Sequence, residues 1–123
     1  MNKIYQNSNN CLQCCISTIY DYNLNNIPDF SKNPIKWINK LKTFFKKEFD
    51  INVYFEYNIN NLSNEKLLNN YFICVIPSIY IKDGSHAVVI DENLNIIHDP
   101  NNDNYLYSYS KQNIIYVICK EVK

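Results

Sequence analysis

The sequence predicts a single α+β domain in which helices precede an antiparallel sheet. Apolar residues recur at helical spacing in the first part of the chain and alternate at strand spacing from residue 51 onward. A chain of 123 residues that is 46% hydrophobic and 15% aromatic can bury one core but not two. We therefore expect one domain over residues 1–123.

The first helix is predicted directly after the polar residues that open the chain. Either Asn9 or Asn10 can serve as its N-cap. Its apolar face comprises Leu12, Cys15, Ile16, Ile19 and Tyr20. Cys11 then falls in the first turn of this helix.

A second helix is predicted from Pro34, since proline is favoured in the first turn of a helix. Its apolar face comprises Trp37, Ile38, Leu41, Phe44 and Phe45. We expect this whole face to pack into the core and the lysines beside it to face solvent.

Five strands are predicted after residue 50, at 51–56, 71–77, 86–90, 95–99 and 114–119. A short capped helix is expected at 63–68. Turn residues at Asp83-Gly84 and at Pro100-Asn101-Asn102 separate the later strands.

Charge and cysteine content narrow the possible partners. Twelve basic and twelve acidic residues give a formal net charge of zero, which argues against nucleic-acid and anionic-membrane partners. The chain start has no apolar segment typical of a signal peptide or membrane span. An odd number of cysteines, five, fits a reducing compartment. We expect a cytoplasmic protein with no membrane association.

Cys11 is the candidate nucleophile. The start of a helix lowers a cysteine pKa, because free N–H groups and the helix dipole favour negative charge there. Gln6, five residues earlier, can supply a side-chain amide that joins the Cys11 backbone N–H in stabilising a tetrahedral oxyanion. The alternative is that Cys11 packs under the helix and Gln6 is a surface residue.

His86 and Asp99 are the candidate base and orienting carboxylate. A hairpin with a two-residue turn at 92–93, or with a four-residue loop at 91–94, pairs residues whose numbers sum to 185, so that His86 faces Asp99. Such side chains lie about 4.5–5.5 Å apart at Cβ, close enough for a carboxylate to fix the imidazole tautomer. A three- or five-residue loop would break this alignment. His98 points to the opposite face and is expected to be structural or exposed.

Two other chemistries could use these cysteines. Residues 11–14 form a C-x-x-C sequence, but a thioredoxin-like redox site needs a preceding strand in a βαβ unit. A zinc site would lack a second paired-ligand motif. Its possible ligands are Cys11, Cys14 or Cys15, His86 and His98. We therefore expect no metal and no cofactor.

A family resemblance rests on five pieces whose order covers nearly the whole chain. They are Gln6, Asn10-Cys11-Leu12-Gln13-Cys14-Cys15-Ile16-Ser17, Ile27-Pro28-Asp29-Phe30, His86-Ala87-Val88-Val89 and Ile97-His98-Asp99-Pro100. With these pieces the chain resembles the papain-like cysteine peptidase superfamily, and most closely the small bacterial and phage-type proteins similar to C39 peptidases.

The resemblance implies a papain-like fold, in which a helix carrying the nucleophile packs on an antiparallel sheet carrying the base. It implies that Cys11 is the nucleophile, His86 the general base, Asp99 the orienting residue and Gln6 the oxyanion donor. Leu12 stands where C39 peptidases usually have glycine, so a double-glycine leader substrate is not expected.

The function implied is hydrolysis of an amide, peptide or isopeptide bond in a protein or peptide substrate, through an acyl-enzyme on Cys11. The same triad serves deamidases and acyltransferases. A binding or regulatory module that keeps the fold without the chemistry is the third hypothesis.

Overall fold

Helices precede strands in the computed structural model, which describes residues 2–6, 10–30, 35–78, 84–101 and 113–122. In these ranges the helices are α1 (Cys11–Tyr20) and α2 (Trp37–Phe49). The strands are β1 (Val53–Glu56), β2 (Phe72–Pro77), β3 (Ser85–Ile90), β4 (Ile96–His98) and β5 (Tyr116–Lys120). The predicted α+β class is confirmed.

The sheet is antiparallel throughout, with the strand order β1-β5-β2-β3-β4. The last strand in sequence, β5, therefore lies between β1 and β2. Within β2, Val75 pairs with Ala87 of β3 on one side and with Tyr116 of β5 on the other. The N-terminal ends of β3 and β5 therefore lie level with each other on either side of β2.

Helix α1 packs on one face of the sheet, mainly against β3. Alternate strand residues divide between two buried clusters, as the strand period of two requires. Ala87 and Val89 belong to the cluster that contains Cys15 and Ile16 of α1. The cluster on the opposite face contains Phe72, Cys74, Ile76, Val88, Ile90, Val117 and Cys119. Burial of an apolar side chain contributes about 1.5–3 kcal/mol, so this packing fixes α1, and with it Cys11, on the sheet.

Helix α2 buries Leu41, Phe44 and Phe45, as predicted. The prediction that its whole apolar face is core is wrong at Ile38, which is 37% exposed. Trp37 is only partly buried and stacks on Phe55 of β1, with ring centroids 5.6 Å apart. The predicted start at Pro34 lies outside the described residues.

The connecting segments differ in part from the predictions. The helix expected at 63–68 is a single 3₁₀ turn, Asn64–Lys66. The Gly84 carbonyl accepts a hydrogen bond from the Ser78 N–H at 3.0 Å, whereas Asp83 and Asn102 lie outside the described ranges. Neither α-helix of the described chain has the length and apolar character needed to cross a bilayer.

Candidate active site

Three elements bring Cys11, His86 and Asp99 together at one end of the sheet. Cys11 is the first residue of α1, His86 is the second residue of β3, and Asp99 directly follows β4. His86 Nε2 lies 2.6 Å from Asp99 Oδ1. The Cys11 thiol lies near enough to the His86 side chain and the Ala87 backbone for both to lower its pKa. His86 thus lies beside both of the other side chains.

The predicted hairpin register that motivated the His86–Asp99 pair is wrong, although the contact exists. Ile90 pairs with Ile96 across a five-residue loop, and the register shifts again so that Val89 pairs with His98. Asp99 therefore reaches His86 from the segment beyond the strand, not from a directly opposed position.

The longer loop has a local cause in Asp91. Its Oδ1 accepts hydrogen bonds from the backbone N–H groups of Asn93 and Asn95, both at 2.9 Å. Such aspartate bonds to nearby backbone N–H groups stabilise a turn. Leu94 takes a left-handed conformation with φ of 67° to complete it. The Leu94 N–H also donates to the Asp91 carbonyl, and the Asp91 N–H to the Asn95 carbonyl, both at 3.0 Å. The chain therefore does turn at 92–93, but Leu94 is added before the strands meet, which moves the register by one residue.

The Asp99 carboxylate is held in place from two sides. Its Oδ1 also accepts the backbone N–H of Asn101 at 2.9 Å. The His86 side chain is 7% exposed and that of Asp99 22%, so solvent screens their contact only weakly. Because Asp99 occupies Nε2 of the imidazole, Nδ1 is the nitrogen left to face Cys11.

The surroundings of Cys11 favour its thiolate. Burial on its own raises the pKa of the Cys11 thiol. The hydrogen bond with His86, the backbone bond to Ala87, the His86 charge and the backbone bond to Leu12 together outweigh burial and lower this pKa below its ordinary value. Leu12 lies in the first helical turn, whose N–H groups lack intrahelical acceptors.

The surroundings of His86 favour its charged form. Burial by itself lowers the pKa of the imidazole, but the hydrogen bonds to Asp99 and Cys11, and their negative charges, raise the pKa of His86 to about 9. The opposite shifts of the two groups favour a thiolate–imidazolium pair, which is the reactive form of a cysteine nucleophile.

Three of the other cysteines have a raised thiol pKa, in contrast to Cys11. Burial, followed by the nearby Cys11 charge, raises the pKa of Cys14 to about 11 and that of Cys15 well above its ordinary value. Burial likewise raises the pKa of Cys119 to about 12. All five cysteines are free thiols, and Cys11 is the one that is partly exposed.

Gln6 lies on a segment that runs beside residues 98–100. Its backbone N–H donates to the Pro100 carbonyl at 2.8 Å. Two residues earlier, the Ile4 N–H donates to the Thr18 hydroxyl of α1 at 3.0 Å. Gln6 Oε1 is buried and meets no hydrogen-bond partner among the described residues. Gln6 is thus next to the segment that carries Asp99; residues 7–9, which join it to α1, are outside the described ranges.

His98 does not join the triad. Its Nε2 donates to the Ile4 carbonyl at 2.6 Å, and its ring meets Tyr5 edge-on at 4.9 Å. The side chain is buried, with 3% exposure. Burial lowers the pKa of His98 below its ordinary value.

The arrangement of the elements bears on the redox and zinc alternatives. Helix α1 precedes every strand of the described chain, so the C-x-x-C residues do not follow a strand as in a βαβ unit. Within the described ranges no three Cys, His, Asp or Glu side chains are grouped to hold a metal ion.

Several contributors to the site were not predicted from the sequence. Backbone groups of Ala87 and Asn101 leave no signature in side-chain identity. Tyr116 is a further neighbour: burial, the Tyr57 phenol and the Cys11 charge raise its pKa to about 12. The sequence predicted its strand but gave no signal that β5 lies beside β2.

No protein-family model matches the chain, and no curated protein or solved structure matches it either.

Proposed function

We propose that the protein is a papain-like cysteine hydrolase that cleaves an amide, peptide or isopeptide bond through an acyl-enzyme on Cys11. The observation that supports this most is that His86 Nε2 lies 2.6 Å from Asp99 Oδ1, while His86 also lowers the pKa of the nearby Cys11 thiol. These groups supply a nucleophile, a proton carrier and a residue that orients it.

In the acylation step the Cys11 thiolate attacks the substrate carbonyl carbon, and the carbonyl oxygen becomes an oxyanion. The Cys11 N–H and the Gln6 amide are the proposed donors to that oxyanion. The His86 imidazolium gives its proton to the leaving nitrogen, the C–N bond breaks, and an amine departs. A thioester on Cys11 and a neutral His86 remain.

In the second step water attacks the thioester. Neutral His86 takes a proton from this water, and the tetrahedral intermediate expels the Cys11 thiolate. The acid product leaves, and the thiolate–imidazolium pair is restored. Asp99 holds Nε2 throughout, so Nδ1 stays directed at the reacting atoms.

We also propose that the protein has a papain-like fold and acts in the cytoplasm. The nucleophile at the N-terminus of a helix packed on an antiparallel sheet supports the fold, and five free thiols support a reducing, cytoplasmic compartment. A protein or peptide is the proposed substrate. A deamidase would release ammonia in the first step, and an acyltransferase would use an amine in place of water in the second.

The proposal is tested with p-nitrophenyl acetate, a small acyl donor that needs no specific substrate pocket. We expect a burst of nitrophenol and one acetyl group on the Cys11 peptide in mass spectrometry. Cys14→Ser is the matched control, since it alters the neighbouring thiol and should leave the burst intact. Acetylation spread evenly over the cysteines, or none at Cys11, would refute the hydrolase hypothesis.

A further inference from the structure

We propose that His98 is a positioning residue that holds residues 4–6 against the end of β4 and thereby places the Gln6 amide for oxyanion stabilisation. This inference rests on the proposed function and extends it. His98 lies outside the triad and has no part in the proton transfers, yet it is one of the two histidines in the chain.

The contact that carries the inference is buried and directional. A backbone carbonyl can only accept, so His98 Nε2 bears the hydrogen that it donates to Ile4 at 2.6 Å. The His98 residue is 3% exposed, and its ring also makes a T-shaped contact with the Tyr5 ring, with centroids 4.9 Å apart. A buried histidine with these two contacts sets the position of the backbone that it binds.

The bonds from residues 98 and 100 act on one short segment. His98 binds Ile4, and the Pro100 carbonyl binds the Gln6 N–H at 2.8 Å. Asp99, between them, holds His86. Residues 98–100 therefore position both the Asp99 carboxylate and the proposed oxyanion donor, Gln6. The two groups keep a fixed position relative to each other.

Loss of the His98 side chain removes the bond at Ile4, two residues before Gln6. The hydrogen bond from the Gln6 N–H to the Pro100 carbonyl remains. On its own, this bond does not fix the direction of the segment that carries the Gln6 side chain. Removing one oxyanion donor costs about 10²–10³-fold in rate, and a displacement of about 1 Å can cost roughly 10²-fold. We therefore expect a loss of about 10- to 100-fold from misplacement of Gln6.

Two reactions at the same thiol separate oxyanion stabilisation from thiolate formation. Acylation by p-nitrophenyl acetate passes through a tetrahedral oxyanion, whereas alkylation by iodoacetamide is a direct displacement that forms none. The ratio of the acylation rate to the alkylation rate at Cys11 therefore reports the oxyanion site. A change in stability or in the amount of thiolate alters both rates together and leaves this ratio unchanged.

The prediction is that Gln6→Ala lowers this ratio by about 10²–10³-fold, that His98→Ala lowers it by about 10- to 100-fold, and that the double variant is no worse than Gln6→Ala. His98→Gln, whose amide can donate to the Ile4 carbonyl, should recover most of the loss. Val117→Ala, in the cluster on the other face of the sheet, is the control for stability and should keep the parent ratio.

If His98→Ala folds and has the same ratio of acylation to alkylation as the parent protein, His98 has no positioning role and is a purely structural residue. Should His98→Ala not fold, Tyr5→Ala makes the same comparison, because Tyr5 is 44% exposed and its removal opens no core. Tyr5→Ala should then also lower the ratio, and a parent ratio in Tyr5→Ala or in Gln6→Ala would equally refute the inference. Failure of the proposed function is distinguishable, since alkylation of the parent would then show no preference for Cys11.

Discussion

His86 Nε2 lies 2.6 Å from Asp99 Oδ1, although the two residues are not paired across the β3–β4 ladder. The five-residue loop and the register shift carry Asp99 beyond the end of β4. There it is fixed by the Asn101 N–H rather than by strand pairing. The contact between His86 and Asp99 thus depends on the irregular end of a hairpin.

Asp99→Asn should lower the pKa of His86 from about 9, because the amide keeps a hydrogen bond but loses the negative charge. We expect turnover to fall by about 10²-fold and the alkaline limb of the pH profile to move to lower pH. Asp91→Asn is the matched control, an acid-to-amide change in the same hairpin. If both variants keep the parent pH profile, Asp99 does not act on His86 as described.

The pH dependence of turnover follows from the two opposite shifts. The thiolate–imidazolium pair exists above the lowered pKa of Cys11 and below the His86 pKa of about 9. Turnover should therefore rise with pH at acidic pH, hold through neutrality, and fall as pH passes about 9. An acidic limb at the ordinary thiol pKa of 9.0 would contradict the lowered value for Cys11.

The raised pKa of His86 should make the free energy of unfolding depend on pH. Its pKa is raised from 6.5 to about 9 in the folded state, so the stability that its protonation supplies is fully present below 6.5 and is lost as pH rises through about 9. Urea unfolding of the parent and of His86→Gln should show their difference shrinking across this range. A difference independent of pH would contradict the coupling.

Cys11→Ala should abolish turnover while changing the free energy of unfolding by less than about 1 kcal/mol, because the thiol is only partly buried. Cys15→Ala offers the contrast four residues along the same helix. It is fully buried in the core, and its truncation should cost about 1–2 kcal/mol with most activity retained. Chemical denaturation and turnover of both variants test this; the reverse pattern would make Cys11 a core residue.

Asp91→Ala should destabilise the protein and reduce activity although Asp91 is remote from the thiol. Two backbone N–H groups lose their acceptor, at a cost of about 1–2 kcal/mol, and the loop that sets the position of Asp99 loosens. Asp91→Asn keeps an acceptor and should be near the parent in both respects. Equal effects of the two substitutions would rule out the turn as the cause.

The element types could be predicted from the sequence because they depend on local periodicity. The helix at Cys11 and all five strands follow from spacing that a single segment displays. The order of the strands could not, because the insertion of β5 between β1 and β2 is set by long-range packing. The exposure of Ile38 has the same origin.

The contact between His86 and Asp99 was predicted, but its register was predicted wrongly. The prediction placed the two residues opposite each other, whereas Leu94 is added at the turn that Asp91 stabilises and the pairing is offset. Contributions from backbone groups, such as the Ala87 bond to the thiol, have no side-chain signal at all. The tie between His98 and Ile4 joins residues 94 positions apart, beyond any local pattern.

The thiolate–imidazolium pair is tested most directly by the rate of iodoacetamide labelling at each cysteine as a function of pH, in the parent and in His86→Ala. We expect Cys11 alone to be labelled fast well below its ordinary pKa of 9.0 and to lose this advantage without His86. Slow labelling of Cys11 with an ordinary thiol profile, or fast labelling that survives the loss of His86, would contradict this expectation.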